Sequence, residues 1–434
     1  MNMTRILIRA GKSPFDAYSA HETFDTNLIG SNNGNLIFAS ATHKLLSAEG
    51  VSIGTRMFGW NEDLAVKVSG EYDMFVLPLA NAFRPTFEGQ LKKITQFINK
   101  LTIPTVMLSG GAQSHNGSFD HLKPMEGTIK AFCKAVLQKS SHITVRGERS
   151  ADYIRGLGFT DVMVIGCPSM TTNGPGHRVP QLPKKNSYKI AYNIETSKDL
   201  LGELISEVER NHEATYFPQD LATLEMMLWG IDKQKPKRDQ RPPLYSSHNQ
   251  FTLDKAEFFL DASTWIRRMK DFDFSFGPRI HGNIVPILAG TPSVVFAHDS
   301  RTQELVEYHE IPHFKPSEVK HINSLDEVIE RADFTKFNAG QTARFNKVKS
   351  FLNENGLKTI FDEGEEKTLA SYEVSLSKTN LPPAQGTDWA RMSVNERYRL
   401  SHQRRQALEL RKLKVENLKL REALSNAGSS LVTV

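Results

Sequence analysis

The chain reads as an α/β protein: two doubly wound parallel-sheet domains facing a cleft, followed by a helical C-terminal tail. Three observations predict this. Short apolar runs alternate twice over with amphipathic helical patterns; a Gly- and Pro-rich break separates the two series; and a basic, Leu-spaced segment follows the second. Such alternation specifies parallel strands covered by helices on both faces.

In the first series Asp73 to Ala80 (DMFVLPLA) is a buried strand. Phe87 to Leu101 is a helix with Leu91, Ile94, Phe97, Ile98 and Leu101 on one face. Pro104 to Gln113 (PTVMLSGGAQ) is a strand with a Gly-rich exit, and Met125 to Gln138 a helix. HITVRGERS gives a strand ending in an Arg-rich turn, ADYIRGLGF a short helix closed by Gly158, and VMVIGCPSM a further strand. Upstream, a Gly/Asn turn from Gly30 to Asn35 follows the first strand and enters a helix. The break is Thr171 to Ser187, dense in Gly, Pro and polar residues without a period. In the second series YKIAYNIE, ATYFPQD, FDFSFG and PSVVFA are strands. LLGELISEVERN, DASTWIRRMKDF, NIVPILAG and TQELVEYHE are the helices between and after them.

Composition agrees. A length of 434 residues suits two domains plus an extension. A hydrophobic content of 39% and a charged content of 24% describe a soluble globular protein. Cys133 and Cys167 are the two cysteines, too few for a disulfide framework, and a reducing compartment fits. The opening MNMTRILIRAGKSPFD lacks a signal-peptide core, and no apolar run reaches the roughly 18 residues of a membrane span. A cytoplasmic location is expected. The net charge is +5, but Arg391 to Leu424 holds ten basic and four acidic residues, a surplus of +6. The remainder is close to neutral, so the basicity belongs to the tail.

Ligands of open parallel sheets bind outside the carboxyl ends of strands, so the loops there carry the chemistry. Gly277-Pro278-Arg279-Ile280-His281-Gly282 sits where a strand gives way to a helix. Arg146 and Arg149 follow another strand, with Ser150 as a helix N-cap, and His298-Asp299-Ser300-Arg301-Thr302 follows a third. Free N–H groups at helix starts favour an anion, and Arg forks grip carboxylate or phosphate. His281 can exchange a proton near neutral pH. Each has a plainer reading. Arg146 and Arg149 can pair on the surface with Glu148 or Asp152, His281 can cap backbone, and Asn32, Gly34 and Asn35 simply suit a turn. His21, His43 and His115 lack metal-ligand spacing. CxxC, HExxH, GxSxG and Walker-type motifs are absent, and no metal is expected.

VRGERSADYIRGLGFTDVMVIGCPSM and GPRIHGNIVPILAGTPSVVFAHDSRTQELVEYHEIP resemble blocks of the polysaccharide pyruvyl transferase family, including its Arg-x-His. VLPLANAFR and VMLSGGAQ are similar as well, so the resemblance covers about residues 25 to 315. It implies two Rossmann-like domains of the GT-B kind: residues 1–172, a linker 173–187, and residues 188–362, with a linker and basic tail over 363–434. It also implies transfer of the enolpyruvyl group of phosphoenolpyruvate to a sugar diol, giving a pyruvate ketal and phosphate. Arg279 then grips the donor with N–H groups near Gly282. His281 is the general acid or a phosphate ligand, and one of Arg146 and Arg149 reaches across the cleft. Arg301 and Asn35 complete the expected substrate contacts. No cofactor beyond the donor is expected, and no nucleic acid; the acceptor is a sugar or a lipid-linked oligosaccharide.

Two other readings compete. A sugar-nucleotide glycosyltransferase shares the fold and would need an acid near the sugar, for which Glu304 is the candidate. A non-catalytic member would act through its tail. There Asn380 to Trp389 (NLPPAQGTDW) reads as a flexible break. Leu410, Leu413, Asn417, Leu420 and Leu424 then form an a/d seam. Self-association is the favoured outcome, against docking on its own domain or contact with the inner face of an anionic membrane. Asp232 to Gln250 is a long segment that overhangs the cleft or is a plain solvated loop.

Overall fold

A computed structural model describes residues 3–114, 117–194, 201–232, 239, 241–319 and 322–430, with backbone alone at 411, 414, 415 and 418–430. His115 and much of the segment after Asp232 lie outside the described residues. In the first domain β1 (Thr4–Ile8), β2 (Val51–Thr55), β3 (Met74–Pro78) and β4 (Thr105–Leu108) pair in the order β2-β1-β3-β4. β5 (Ile143–Val145) and β6 (Val162–Val164) extend this sheet, because Gly110 N–H donates to Thr144 O at 2.9 Å and Arg146 N–H to Gly110 O at 3.0 Å. In the second domain β7 (Lys189–Tyr192), β8 (Glu213–Tyr216), β9 (Phe274–Gly277), β10 (Ser293–Phe296) and β11 (His313–Phe314) take the order β11-β10-β9-β7-β8.

All of these pairings are parallel. Each sheet places its second strand on one side of its first and its third on the other. The winding therefore reverses between β1 and β3, and again between β7 and β9. Such a reversal opens a crevice at the carboxyl ends of the two strands, and the two crevices face one pocket. This is the doubly wound two-domain architecture the sequence predicts.

Burial explains the elements. Every residue of β3 and β4 is buried, as a strand covered on both faces requires. One face packs Phe75, Leu77 and Met107 against Ile94, Phe97 and Phe132 of the covering helices. In the second domain Asp220, Asp261 and Asp299 each cap a helix, accepting the N–H of Thr223, Thr264 and Thr302 at 2.9, 2.8 and 2.8 Å. All eight segments read as strands after Asp73 are strands.

Three expectations are corrected. Residue 362 does not bound the second domain cleanly: Phe345, Val348, Phe351 and Leu352, on the helix Thr335–Glu354, pack on Ile6, Ile8, Val76 and Leu108 of the first sheet. Ser150 is not an N-cap, since its helix starts at Glu148 and Gly147 takes that place. Asn380 to Trp389 is not a flexible break. Gln385 and Phe258 exchange backbone hydrogen bonds at 2.8 and 2.9 Å, and Trp389, 2% exposed, donates from Nε1 to Met226 O at 2.6 Å. The following helix, Val394–Ser430, begins by docking on its own domain. There Arg404 lies 4.0 Å over the Trp229 ring and 3.4 Å from the buried Glu225 carboxylate. Leu410 and Leu413, further along, are 59% and 56% exposed. Among the described residues no helix is long and apolar enough to cross a membrane.

Trp389→Ala is expected to lower the unfolding free energy by about 3 kcal/mol in a urea titration, through the emptied site and the lost hydrogen bond. An unchanged midpoint would return this segment to a loose tether.

Candidate active site

On the second-domain side β9 ends at Gly277, whose φ of 151° brings its backbone against Asn193; a Cβ there would lie 2.4 Å from Asn193 O. This close approach aims the next residues at the pocket. Arg279 N–H donates to Asn193 Oδ1 at 2.7 Å and its Nε to Ile194 O at 3.2 Å, while Nη2 lies 3.7 Å from Asp220 Oδ2. His281 follows on the first turn of its helix. Its ring packs on Gly34 of the first domain, where a Cβ would come within 2.8 Å of ring Nδ1, and its Nε2 lies 3.7 Å from Cys167 Sγ. Burial, helped by the nearby Arg146 charge, pushes the His281 pKa down to about 4, so the imidazole is neutral at pH 7. Gly282 is buried against Gln219 and does not line the pocket.

On the first-domain side Arg146 follows β5 and is only 5% exposed. Its Nε lies 3.8 Å from Oε1 of Glu304, a residue of the second domain. Glu304 accepts the Ser150 N–H at 3.1 Å and the Ser150 hydroxyl at 2.8 Å. Burial lowers the Arg146 pKa and raises that of Glu304, and each partner draws the other back. Arg149, one helical turn on, is exposed and pairs with Glu307 at 3.4 Å, outside the pocket. The structure thus separates the two arginines the sequence left equivalent. Arg301 lines the pocket and engages the Asp299 carboxylate. Asn35 lines it too, but its amide donates to Ile29 O at 2.9 Å, which fixes its own loop. Glu304, the acid available to a glycosyltransferase, is occupied by Ser150 and Arg146.

The pocket holds about 540 Å³, within the range of small-molecule sites. Sequence reasoning missed Arg9 and Lys12 after β1 and Arg84 after β3, all of which line it. The signal was present, a cation directly after an apolar run in RILIRAGK and in VLPLANAFR. Among the described residues Asp261 is the one acid in the lining, and no group of three or more His, Cys, Asp or Glu could hold a metal ion. The pocket is a cation-lined cleft between two sheets, suited to a small anion with more than one charged group.

Residues 65–300 match the family model described as polysaccharide pyruvyl transferase, more than half of the chain. The chain belongs to the polysaccharide pyruvyl transferase family. Arg84, Arg146, Arg279 and His281 fall inside the matched segment, whereas Arg9, Lys12 and Arg301 fall outside it. No curated protein sequence matches. Among solved structures the chain is similar to S. aureus MnaA with UDP, at 11% identity over 88% of this chain and 99% of that one, with a TM-score of 0.38. It is similar to Anabaena Alr3699/HepE in complex with UDP at 13% identity, covering 86% and 100%, TM-score 0.38. A third is the Methanocaldococcus jannaschii UDP-GlcNAc 2-epimerase in complex with UDP-GlcNAc and UDP, at 10% identity over 86% and 100%, TM-score 0.35. Scores this low leave the architecture to be judged from the chain's own sheets.

Glu304→Gln is expected to cost about 3 kcal/mol in urea unfolding, since Arg146 is left buried without its counter-charge. A stability equal to the parent's would mean that Arg146 does not depend on Glu304.

Proposed function

We propose that this member of the family transfers the enolpyruvyl group of phosphoenolpyruvate to two hydroxyls of one sugar in a polysaccharide or its precursor, as a cytoplasmic enzyme needing no further cofactor. The observation that carries the reading is the meeting of Arg146, from the first sheet, with Arg279 and His281, from the second, at one pocket. The donor carries a carboxylate and a phosphate, and fixed Arg forks on opposite walls match two anionic ends. Arg279 is held by Asn193 and Ile194, and Arg146 by Glu304, so neither need be ordered when the donor arrives.

The methylene carbon of the donor gains a proton and becomes a methyl group, leaving the central carbon cationic in character. One sugar hydroxyl adds there, the bond to the phosphate oxygen breaks, and the second hydroxyl closes the ketal. Of the two hydroxyl protons, one balances that gained by the methyl group and the other leaves on phosphate. His281 is the proton donor in this scheme. With a pKa of about 4 it must first be charged, and the donor's phosphate beside it raises the pKa by favouring imidazolium. Donor binding near pH 7 therefore takes up a proton at His281.

Calorimetric titration with phosphoenolpyruvate in two buffers of different ionisation enthalpy is expected to show that uptake in the parent protein and not in His281→Gln. Turnover in His281→Gln should fall about 100- to 10,000-fold with donor binding largely kept, whereas Arg279→Ala should lose binding itself. Normal turnover in His281→Gln would remove the proton-donor role. An Arg279→Ala protein that binds the donor as the parent does would remove the donor site.

A further inference from the structure

Arg9, Lys12 and Arg84 differ from the other cations around the pocket. Arg146, Arg279 and Arg301 each have a carboxylate close by, in Glu304, Asp220 and Asp299. Arg9, Lys12 and Arg84 form no ion pair among the described residues. Lys12 is only 6% exposed, and its Nζ donates to a neutral partner, Asp16 O, at 2.8 Å. Arg9 reaches Pro78 O at 3.5 Å, and its Nε is buried with no hydrogen-bond partner. Arg84 donates to Asn81 O at 2.7 Å and Thr86 Oγ1 at 3.0 Å. Burial pushes the Arg9 pKa down to about 10, with the Arg84 charge adding to it, and lowers that of Lys12 as well. Arg9 and Arg84 share the Phe87 ring and repel each other with no carboxylate paired to either among the described residues, while Lys12 is only partly offset by the Asp261 and Asp16 charges. Buried cations so placed oppose folding, and a chain keeps such a conflict where a ligand resolves it.

They also occupy a defined place. Arg9 and Lys12 follow β1 and Arg84 follows β3, the strands between which the first sheet reverses. A donor with one carboxylate and one phosphate is already matched by Arg279 and Arg146, Arg301 is engaged by Asp299, and a neutral sugar diol brings no charge for Arg9, Lys12 and Arg84. We infer that Arg9, Lys12 and Arg84 form a second anion subsite that takes a phosphate ester carried by the acceptor sugar. The acceptor is then a glycosyl phosphate or diphosphate, and not an uncharged sugar. Phe58, 50% exposed and lining the same pocket, offers a ring face for the sugar itself. This inference rests on the pyruvyl transfer reading for its donor and names the class of its acceptor.

The test is calorimetry on the full-length protein, first with phosphoenolpyruvate and then, in its saturating presence, with glucose 1-phosphate, glucose and farnesyl diphosphate. Glucose 1-phosphate should bind the donor-saturated protein and glucose should not. In a Lys12→Met, Arg84→Met double variant the affinity for glucose 1-phosphate should fall about tenfold to a hundredfold, as loss of charged hydrogen bonds requires, with the affinity for phosphoenolpyruvate unchanged. Arg84→Gln alone, expected to keep the fold, should show a smaller fall in the same direction. Tighter binding of farnesyl diphosphate than of glucose 1-phosphate would mark a prenyl-linked source for the phosphate, and the reverse order a soluble one. Three results would each overturn the subsite: equal binding of glucose and glucose 1-phosphate, displacement of one anion by the other, or a parallel loss of phosphoenolpyruvate affinity in the variants. A parent protein that ignores phosphoenolpyruvate but binds glucose 1-phosphate through Lys12 and Arg84 would sink the donor reading and leave the anion subsite standing.

Discussion

A carboxylate from one domain sits against the buried cation of the other, and the pocket depends on that arrangement. Glu304 comes from the second domain, takes both the N–H and the hydroxyl of Ser150, and lies 3.8 Å from Arg146. Other polar contacts run the same way across the cleft. Asn33 Nδ2 donates to Phe259 O at 3.1 Å, Ser114 N–H to Ser300 Oγ at 3.0 Å, and Cys167 N–H to His309 Nε2 at 2.8 Å. Each leaves a buried group unpaired if the halves part, so the relative placement of the sheets is set by hydrogen bonds that water cannot cheaply replace.

Within that frame the electrostatics are unbalanced on purpose. Among the described residues six Lys and Arg side chains face one pocket whose lining holds one acid, Asp261. The cost falls on the free protein, in the lowered pKa of Arg9 and Lys12 and in the neutral His281. An anion bound there, as proposed, would relieve all of these together. The groups proposed to bind it are those that destabilise the protein without it, as in preorganised sites generally.

Much of this was legible in the sequence where burial leaves an unambiguous mark. β3, β4, β9 and β10 are continuous apolar runs because both their faces are covered, and the loops after them announced Arg279, His281 and Arg301. β1 and β2 were not located: Thr4–Ile8 begins in two exposed residues, and Val51–Thr55 is buried only in part. Without β1 the cations of RILIRAGK had no strand end to belong to, and the first loop was sought at Gly30 to Asn35 instead. Arg146 and Arg149 look alike in sequence. They differ because the Arg146 N–H still belongs to the sheet, which turns its side chain inward, whereas Arg149 lies on the helix surface. Trp389 was hidden in a stretch of turn-forming residues, whose composition reports local flexibility and says nothing of a partner groove.

The path of the chain has a mechanical consequence. It builds the first sheet, then the second, returns at Phe345 to Leu352 to cover the first, and crosses again so that Trp389 and Arg404 can seat on the second. The halves are therefore stitched by three separate connections, not joined by one hinge. A single connection would let the cleft swing wide about any axis. Three crossings oppose such a swing, because opening the cleft has to move all of them together.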